Sequence, residues 1–318
     1  NAHDRGPAHK VSGLFDSGRH SLYDLGSLGR RVPHTADHLF SRVTEITMLE
    51  AWAGAVAYAL QLYFDFSGYS DMAVGLGLMF GLCLPINFDT PFRAVSMIDF
   101  WKRWHITMTR FFMMYLYAPL ALSLNRFGLV RFTSSAILFP LTVATPIFFT
   151  FLVAGLWHGA GWTFIMFGAV NGAGLVINHL WKEAKFPALP RGLSWAMTML
   201  TVLVSFVYFR AVNVADAHAV LAALIFPSAL VLPNWLSWLS APLGLPWATL
   251  VVFKNGIFTV KFMAWVVSLG VLSMVMPNPA KYYDRLVPTP FLAVISAALA
   301  WVVLGWLDEP RTFLYFQF

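Results

Sequence analysis

Between Arg131 and Lys182 the chain runs for fifty residues, 132–181, without an Asp, Glu, Lys or Arg. A helix crosses the roughly 30 Å hydrocarbon core of a bilayer with about 20 apolar residues. This one stretch is therefore long enough for two crossings. Further uncharged runs follow at 192–209, 217–253, 262–280 and 286–307, with shorter ones at 51–64, 72–88 and 111–125. The chain is 58% hydrophobic and 11% charged, whereas soluble domains run near 45–50% and about 25%. That gap excludes an ordinary soluble domain and a disordered chain. Membrane β-strands would alternate in polarity over about 10 residues, and no such alternation is present. The expected fold is an all-α, polytopic membrane helix bundle of about seven or eight membrane helices, with lipid as its solvent. The net charge of +6 reads as positive cytoplasmic loops and not as a nucleic-acid surface. The single cysteine, Cys83, excludes an intramolecular disulfide and a cysteine-based zinc site.

Residues 1–40 are different. They hold five of the nine histidines, His3, His9, His20, His34 and His38, with no sustained helical pattern. His34 and His38 stand four apart, a spacing that can bind metal on a helix. Pro33 is adjacent and no third ligand is evident, so no metal site is expected. The simplest expectation is a truncated or mis-framed segment at 1–40, followed by a membrane domain at 41–318.

Three polar islands interrupt the apolar runs. Residues 86–131 carry Arg93, Lys102, Arg103, Arg110, Arg126 and Arg131 against Asp89 and Asp99, which is +4 of the chain's +6. The positive-inside rule turns this segment toward the cytoplasm. Ser96 and Asp99 form a helix-start pattern. From there Met97, Trp101, Trp104, His105, Met108, Phe111, Phe112 and Tyr115 recur at spacings of three and four. That spacing predicts one amphipathic helix, interfacial or re-entrant. His105 lies in its apolar stripe, either as a bonded core histidine or as a site group. The second island is Phe64-Asp65-Phe66-Ser67-Gly68-Tyr69-Ser70-Asp71. Its glycine and serines allow a helix break, and its carboxylates mark a wet turn or a site. The third is Gly155-Leu156-Trp157-His158-Gly159-Ala160-Gly161-Trp162. Here His158 is the first titratable group of the fifty-residue run. The glycines admit a second backbone or a substrate close to it, and a histidine suits proton transfer near neutral pH. A wetted hairpin apex is the other reading.

In this order the islands resemble the membrane-bound O-acyltransferase family, in its bacterial alginate O-acetyltransferase branch. The matching runs are Gln61 to Asp71, Asn87-Phe88-Asp89-Thr90-Pro91-Phe92-Arg93, Asp99-Phe100-Trp101-Lys102-Arg103-Trp104-His105 and Gly155-Leu156-Trp157-His158-Gly159-Ala160, with Tyr315-Phe316-Gln317-Phe318 like the family ending. The resemblance covers about residues 36–318 and implies a ring of membrane helices around a thinned centre.

It also implies an O-acyltransferase of the inner, cytoplasmic membrane. Such a protein moves an acetyl or other acyl group from a cytoplasmic thioester donor, acetyl-coenzyme A or an acyl carrier, toward hydroxyls of an exported polysaccharide. The family's catalytic histidine falls on His158 and a second important polar position on His105. Donor or acceptor binding is expected at Asp65, Ser67, Tyr69, Asp71, Lys102, Arg103, Trp104 and Trp157, with no tightly bound cofactor. A neutral His158 would take the hydroxyl proton, and His105 would donate to the oxyanion or orient the acceptor. Expected partners are membrane lipid, the acyl donor and a periplasmic polysaccharide acetyltransferase, with no nucleic acid.

Two features depart from the family pattern. Family members are longer, with more helices on the N-terminal side, so this chain alone is expected to insert in a membrane with little or no activity. Met113-Met114 stand where many relatives have Arg-Asp, so no ion pair is expected there. The rival classes are a secondary transporter, whose broken helices and midplane polar groups look similar, and a non-catalytic assembly subunit.

The charge asymmetry carries a prediction. A cysteine at Asn125, in a Cys83→Ser background, should react with an impermeant maleimide only after the cytoplasmic face is opened. Labelling from outside intact spheroplasts would reverse the orientation.

Overall fold

The computed structural model describes residues 47–226, 260–276, 278 and 289–304. Residues 1–40, most of the run at 217–253 and the Tyr315–Phe318 ending lie outside or largely outside them. Within the described residues the chain is helical and contains no strand.

Helix α1 spans Met48–Met79, about 48 Å at 1.5 Å per residue. Its start is a capping box. Thr47 Oγ1 accepts from the Glu50 amide, and the Glu50 carboxylate accepts from the Thr47 amide at 3.0 Å, so two of the orphan donors of the first turn are satisfied. The helix runs unbroken through Asp65, Ser67, Gly68 and Asp71. The expected break there does not occur. A helical glycine costs only about 1 kcal/mol against alanine, and Ser67 and Ser70 are buried against neighbouring elements. The helix ends at Gly81. There φ is +73°, and the Leu82 amide reaches back to Gly77 O at 2.8 Å, closing terminal carbonyls in a left-handed turn.

The predicted amphipathic helix from Ser96 is broken. Helix α2, Met97–Trp101, starts where expected, with Ser96 Oγ accepting from the Asp99 amide at 3.0 Å. It stops after five residues. Helix α3, Ile106–Phe112, starts again at His105, whose φ is +42°. The break exists because residues 87–89 lie against it. The Asp89 amide donates to Arg103 O and the Ile106 amide to Asn87 O, both at 2.9 Å. A π-turn at Met113–Tyr117 then leads into α4, Ala118–Arg131.

The fifty-residue run forms two long segments, as its length predicts. Helix α5, Ser135–Phe139, passes through a π-turn at Pro140–Ala144 into α6, Thr145–His158. Helix α7, Trp162–Glu183, returns beside it. Helix α8 follows at Arg191–Arg210 and α9 at Val214–Ile225. The remaining described helices are α10, Val260–Val275, and α11, Pro290–Leu304. Among the described residues three segments, Ala136–His158, Trp162–Glu183 and Arg191–Arg210, are long and apolar enough to cross a membrane, and α9 to α11 are shorter apolar helices. Many large side chains face outward, among them Phe149, Trp162 and Leu200, as a lipid-facing surface requires. Several buried polar side chains inside the helices find a partner in their own helix, although Asn171 Oδ1 is buried with no partner among the described residues. Thr150, Thr198 and Asn171 donate to carbonyls one turn back at 2.7–2.8 Å, the economical solution where water is absent.

The α6–α7 hairpin packs backbone against backbone. A Cβ on Gly155 would overlap the Phe164 carbonyl oxygen, and a Cβ on Gly168 would overlap that of Phe151. The glycines beside His158 therefore admit a second helix, the first of the two readings, because Phe164 also fills the space at Gly159. Gly155→Ala and Gly168→Ala should each destabilise the fold by about 1–3 kcal/mol, the usual cost of overpacking. Gly192→Ala, where nothing lies within 4 Å, is the control. Thermal unfolding in detergent measures the difference; equal midpoints for all three would refute close helix approach.

Candidate active site

The break between α2 and α3 is built around one carboxamide. Asn87 Oδ1 accepts from the Thr107 amide at 3.2 Å and from Thr107 Oγ1 at 2.7 Å, while Nδ2 donates to Ser70 Oγ at 3.0 Å. The backbone amide can only donate, so the atom facing Thr107 must be oxygen. His105 Nδ1 lies 3.2 Å from that same oxygen and must itself carry a proton to bond there. The hydrogen bond at one ring nitrogen sets the state of the other. A neutral His105 thus holds its proton on Nδ1, and its Nε2 is a lone pair. His105 lies outside the three helices long enough to span. Burial pushes its pKa down to about 4, with His158 as a second cause, so the ring is neutral at pH 7. A neutral ring in this tautomer cannot donate from Nε2. Of the two roles expected for His105, donating to an oxyanion or orienting the acceptor, this tautomer fits the second.

His158 arrives from the other side, as the last residue of α6. It sits at the hairpin apex, as one reading expected, yet it is packed among rings. Its imidazole meets Trp157, Phe209 and Phe167 edge-on, with centroids 4.8, 5.1 and 5.7 Å away. His105 meets Phe66 of α1 at 4.7 Å. Both histidines line one narrow cavity of about 20 Å³, together with Trp101, Trp104, Met108 and side chains of α1, α7 and α8. That is room for one water-sized group.

The other expected site residues separate into three groups. Trp104 joins the cavity and is buried in an aromatic cluster, stacked on Phe100 at 5.6 Å and tilted against Phe206 at 5.2 Å. Trp157 touches the His158 ring but is 56% exposed. Asp65, Ser67, Tyr69 and Asp71 do not line the cavity; their helix contributes Leu62 and Phe66 instead. Ser67 is buried and Tyr69 faces outward. Arg103 is held by Asp99 at 2.8 Å and by Asp89 at 3.8 Å, which takes up much of its charge. Lys102 is exposed at the surface. Among the described residues no cluster of three or more His, Cys, Asp or Glu side chains could hold a metal.

Three positions that shape this region were not singled out by the sequence reading. Asn87 lies inside the quoted Asn87-Phe88-Asp89 run, where a polar residue after the uncharged run 72–88's apolar start was the available signal. Asn178 of α7 accepts from the Met97 amide at 2.8 Å and from the Ile98 amide at 3.4 Å, fastening the start of α2 to the hairpin. No local pattern announces that contact. The third is Trp101. It is 4% exposed and lines the cavity, and its Nε1–H has no hydrogen-bond partner among the described residues. A buried donor left unpaired costs about 1–3 kcal/mol.

A family model, the membrane-bound O-acyltransferase family, matches residues 33–215. The peptidoglycan O-acetyltransferase of Helicobacter pylori is 41% identical over 195 residues, 60% of this chain and 34% of the relative. A protein of Azotobacter vinelandii named "Probable alginate O-acetylase AlgI" is 42% identical over 189 residues, 59% and 35% of the two chains. The teichoic acid D-alanyltransferase of Streptococcus thermophilus is 33% identical over 170 residues, 48% and 39%. The chain spans about a third of the length of these curated relatives.

The carboxamide geometry predicts a tautomer. ¹⁵N-histidine solid-state NMR in lipid, with His105→Gln to assign the signal, should show His105 as neutral Nδ1–H at pH 7 and still neutral at pH 5. Asn87→Asp places a carboxylate at Nδ1, which favours the charged ring and raises its pKa, so the imidazolium should appear at a higher pH. A wild-type signal from Nε2–H would refute the assignment.

Proposed function

The chain belongs to the membrane-bound O-acyltransferase family, and on that premise we propose that it carries the reaction centre of an O-acyltransferase. The reaction moves an acetyl group from a thioester donor on the cytoplasmic side to hydroxyls of an exported polysaccharide such as alginate. The observation that carries the reading is the convergence of His105 and His158, from separate segments, on one buried cavity.

The donor is already activated, so the protein's task is to position a hydroxyl, take its proton and keep water away. His158 is the base. Its place at a helix end, walled by Phe167 and Phe209, lets a substrate reach it from the turn while the rings exclude solvent. His105, neutral and with Nε2 as a lone pair, accepts a hydrogen bond from a second hydroxyl of the acceptor sugar and so orients the one that donates to His158. General-base catalysis of this kind typically contributes about 10²–10⁴-fold. A cavity that admits one water-sized group favours a small acyl group, and dry walls favour transfer over hydrolysis of the donor. Exposed Lys102 offers a cation to the phosphates of coenzyme A or of an acyl carrier. Arg103 is committed to Asp89 and Asp99 and serves the loop.

The acceptor class follows the relatives' names, which include alginate and peptidoglycan O-acetylation. The proposed location is the inner membrane, with a periplasmic polysaccharide acetyltransferase as the partner that completes the transfer. The family relationship favours this chemistry over transport or a purely structural subunit.

The test is acetyl transfer from radiolabelled acetyl-coenzyme A to de-acetylated alginate in lipid nanodiscs, by the chain fused behind the N-terminal helices of the Azotobacter vinelandii relative. His158→Asn should lower kcat by at least about 10²-fold with unchanged expression, and His105→Gln should lower it less. Wild-type rates in His158→Asn would sink the base assignment, and donor-independent polysaccharide movement would favour the transporter.

A further inference from the structure

We propose that Trp101 is a catalytic residue of the acyl transfer: its indole Nε1–H donates to the thioester carbonyl oxygen as that oxygen takes on negative charge. The inference rests on the acyl-transfer reading above and supplies what that reading lacks, an oxyanion donor.

Three observations converge on this residue. First, Trp101 lines the same cavity as both histidines. Second, its Nε1–H is buried and has no acceptor among the described residues, while almost all buried donors in folded proteins are paired. Third, the other polar ring at hand is the wrong kind. His105 is held by Asn87 with its proton on Nδ1, so while neutral it cannot donate from Nε2. An indole N–H is a donor only and does not titrate in the working range. It can stabilise an oxyanion without competing for the proton that His158 must take.

The ring is also held in place. Trp101 ends α2, whose start is fastened by Ser96 and Asn178. Its indole meets Phe151 of α6 at 4.9 Å and Phe100 at 5.6 Å, both edge-to-face. A donor fixed before the charge develops, inside apolar walls, pays no reorganisation during the reaction. The broken helix has a purpose on this view. The left-handed turn at His105 places Trp101 and His105, four residues apart, around one cavity in roles that a continuous helix face would not separate.

The step balances as follows. The acceptor hydroxyl oxygen attacks the thioester carbonyl carbon, and its proton passes to the His158 ring. The carbonyl π pair moves onto oxygen, which receives the Trp101 hydrogen bond. Collapse restores the carbonyl and breaks the carbon–sulfur bond, and the departing thiolate takes the proton back from the imidazolium. An ester and a free thiol result.

Two measurements test this in nanodiscs, in the chain fused behind the N-terminal helices of the Azotobacter vinelandii relative, which serves as the wild type. Trp101→Phe keeps the ring and removes the donor. It should lower kcat by about 10²–10³-fold with KM little changed, the signature of an interaction made in the transition state. Trp101→His, which restores a ring N–H, should recover part of the loss. The second measurement needs no turnover. A ketone analogue of acetyl-coenzyme A, with methylene for sulfur and ¹³C at the carbonyl, is bound and its carbonyl stretch read by infrared difference spectroscopy. The band should move to lower frequency on binding wild type, and that shift should vanish in Trp101→Phe. An unchanged shift in Trp101→Phe, or an unchanged kcat, overturns the proposal and leaves the N–H spent on the Phe151 ring, with the acyl-transfer reading intact. Failure of wild type both to bind the analogue and to transfer acetyl overturns the acyl-transfer reading itself, and this proposal with it.

Discussion

The Asn87 carboxamide is the interaction on which the centre of this molecule depends. Its oxygen gathers three donors, two from Thr107 and one from His105, and its nitrogen reaches Ser70 on α1. In water such a group would exchange partners freely. Inside an apolar bundle each of these bonds replaces one that solvent cannot supply, so the arrangement is held. It ties the second polar island to the loop before α2, and that loop to the start of α3. It also supports a residue that would otherwise resist its conformation. His105 has φ of +42°, a region that costs a side-chain-bearing residue of order 1–3 kcal/mol unless the surroundings impose it. Here they do, through Asn87 on the side chain and through the Ile106 amide on Asn87 O.

From that bend the rest of the centre follows. Because α2 stops at Trp101, Trp104 turns inward between Phe88, Phe100 and Phe206, and α3 leaves in a new direction. The α6–α7 hairpin then fits against α2, with Asn178 on the α2 amides and Phe151 on the Trp101 ring. Gly155 and Gly168 set how close the hairpin arms come, and hence where its apex carries His158. Stiff rings surround both histidines, and little side-chain freedom remains to be lost when a substrate binds. That is the form in which preorganisation is visible in an unliganded fold.

Much of this was legible in the sequence, for identifiable reasons. The fifty-residue run 132–181 became two long helical segments because lipid-compatible length is a strong constraint. Ser96 capped a helix and His158 came to a hairpin apex because both signals are local. The failures were of another kind. A stripe at spacings of three and four from Met97 to Tyr115 read as one helix, yet it is two helices and a π-turn. The periodicity was real on either side of the break, and the cause of the break, residues 87–89, lies far enough upstream to be invisible to a helical window. Phe64 to Asp71, whose glycine and serines would allow a break, is continuous helix, with its serines buried against partners that the island itself does not contain. For His105 two roles stood open, donor to an oxyanion or guide of the acceptor, and the sequence could not choose between them. A tautomer depends on a carboxamide from another segment, and no spacing rule encodes that.

The charges around the centre show how the polar groups divide their work. Arg103, Asp99 and Asp89 satisfy one another at the edge of the broken helix, half-exposed, where such pairs contribute little to stability. Their value is geometric, since Arg103 also donates to Asp89 O at 3.2 Å and so fixes the loop that carries Asn87. The cavity lining contains no Asp, Glu, Lys or Arg, and His105 is neutral. A full charge placed there would be paid for in desolvation before any substrate arrived. Imidazoles and an indole bring polar atoms there without a permanent charge. The broken helix is thus a way of bringing polar atoms to an apolar interior while keeping every formal charge at its rim.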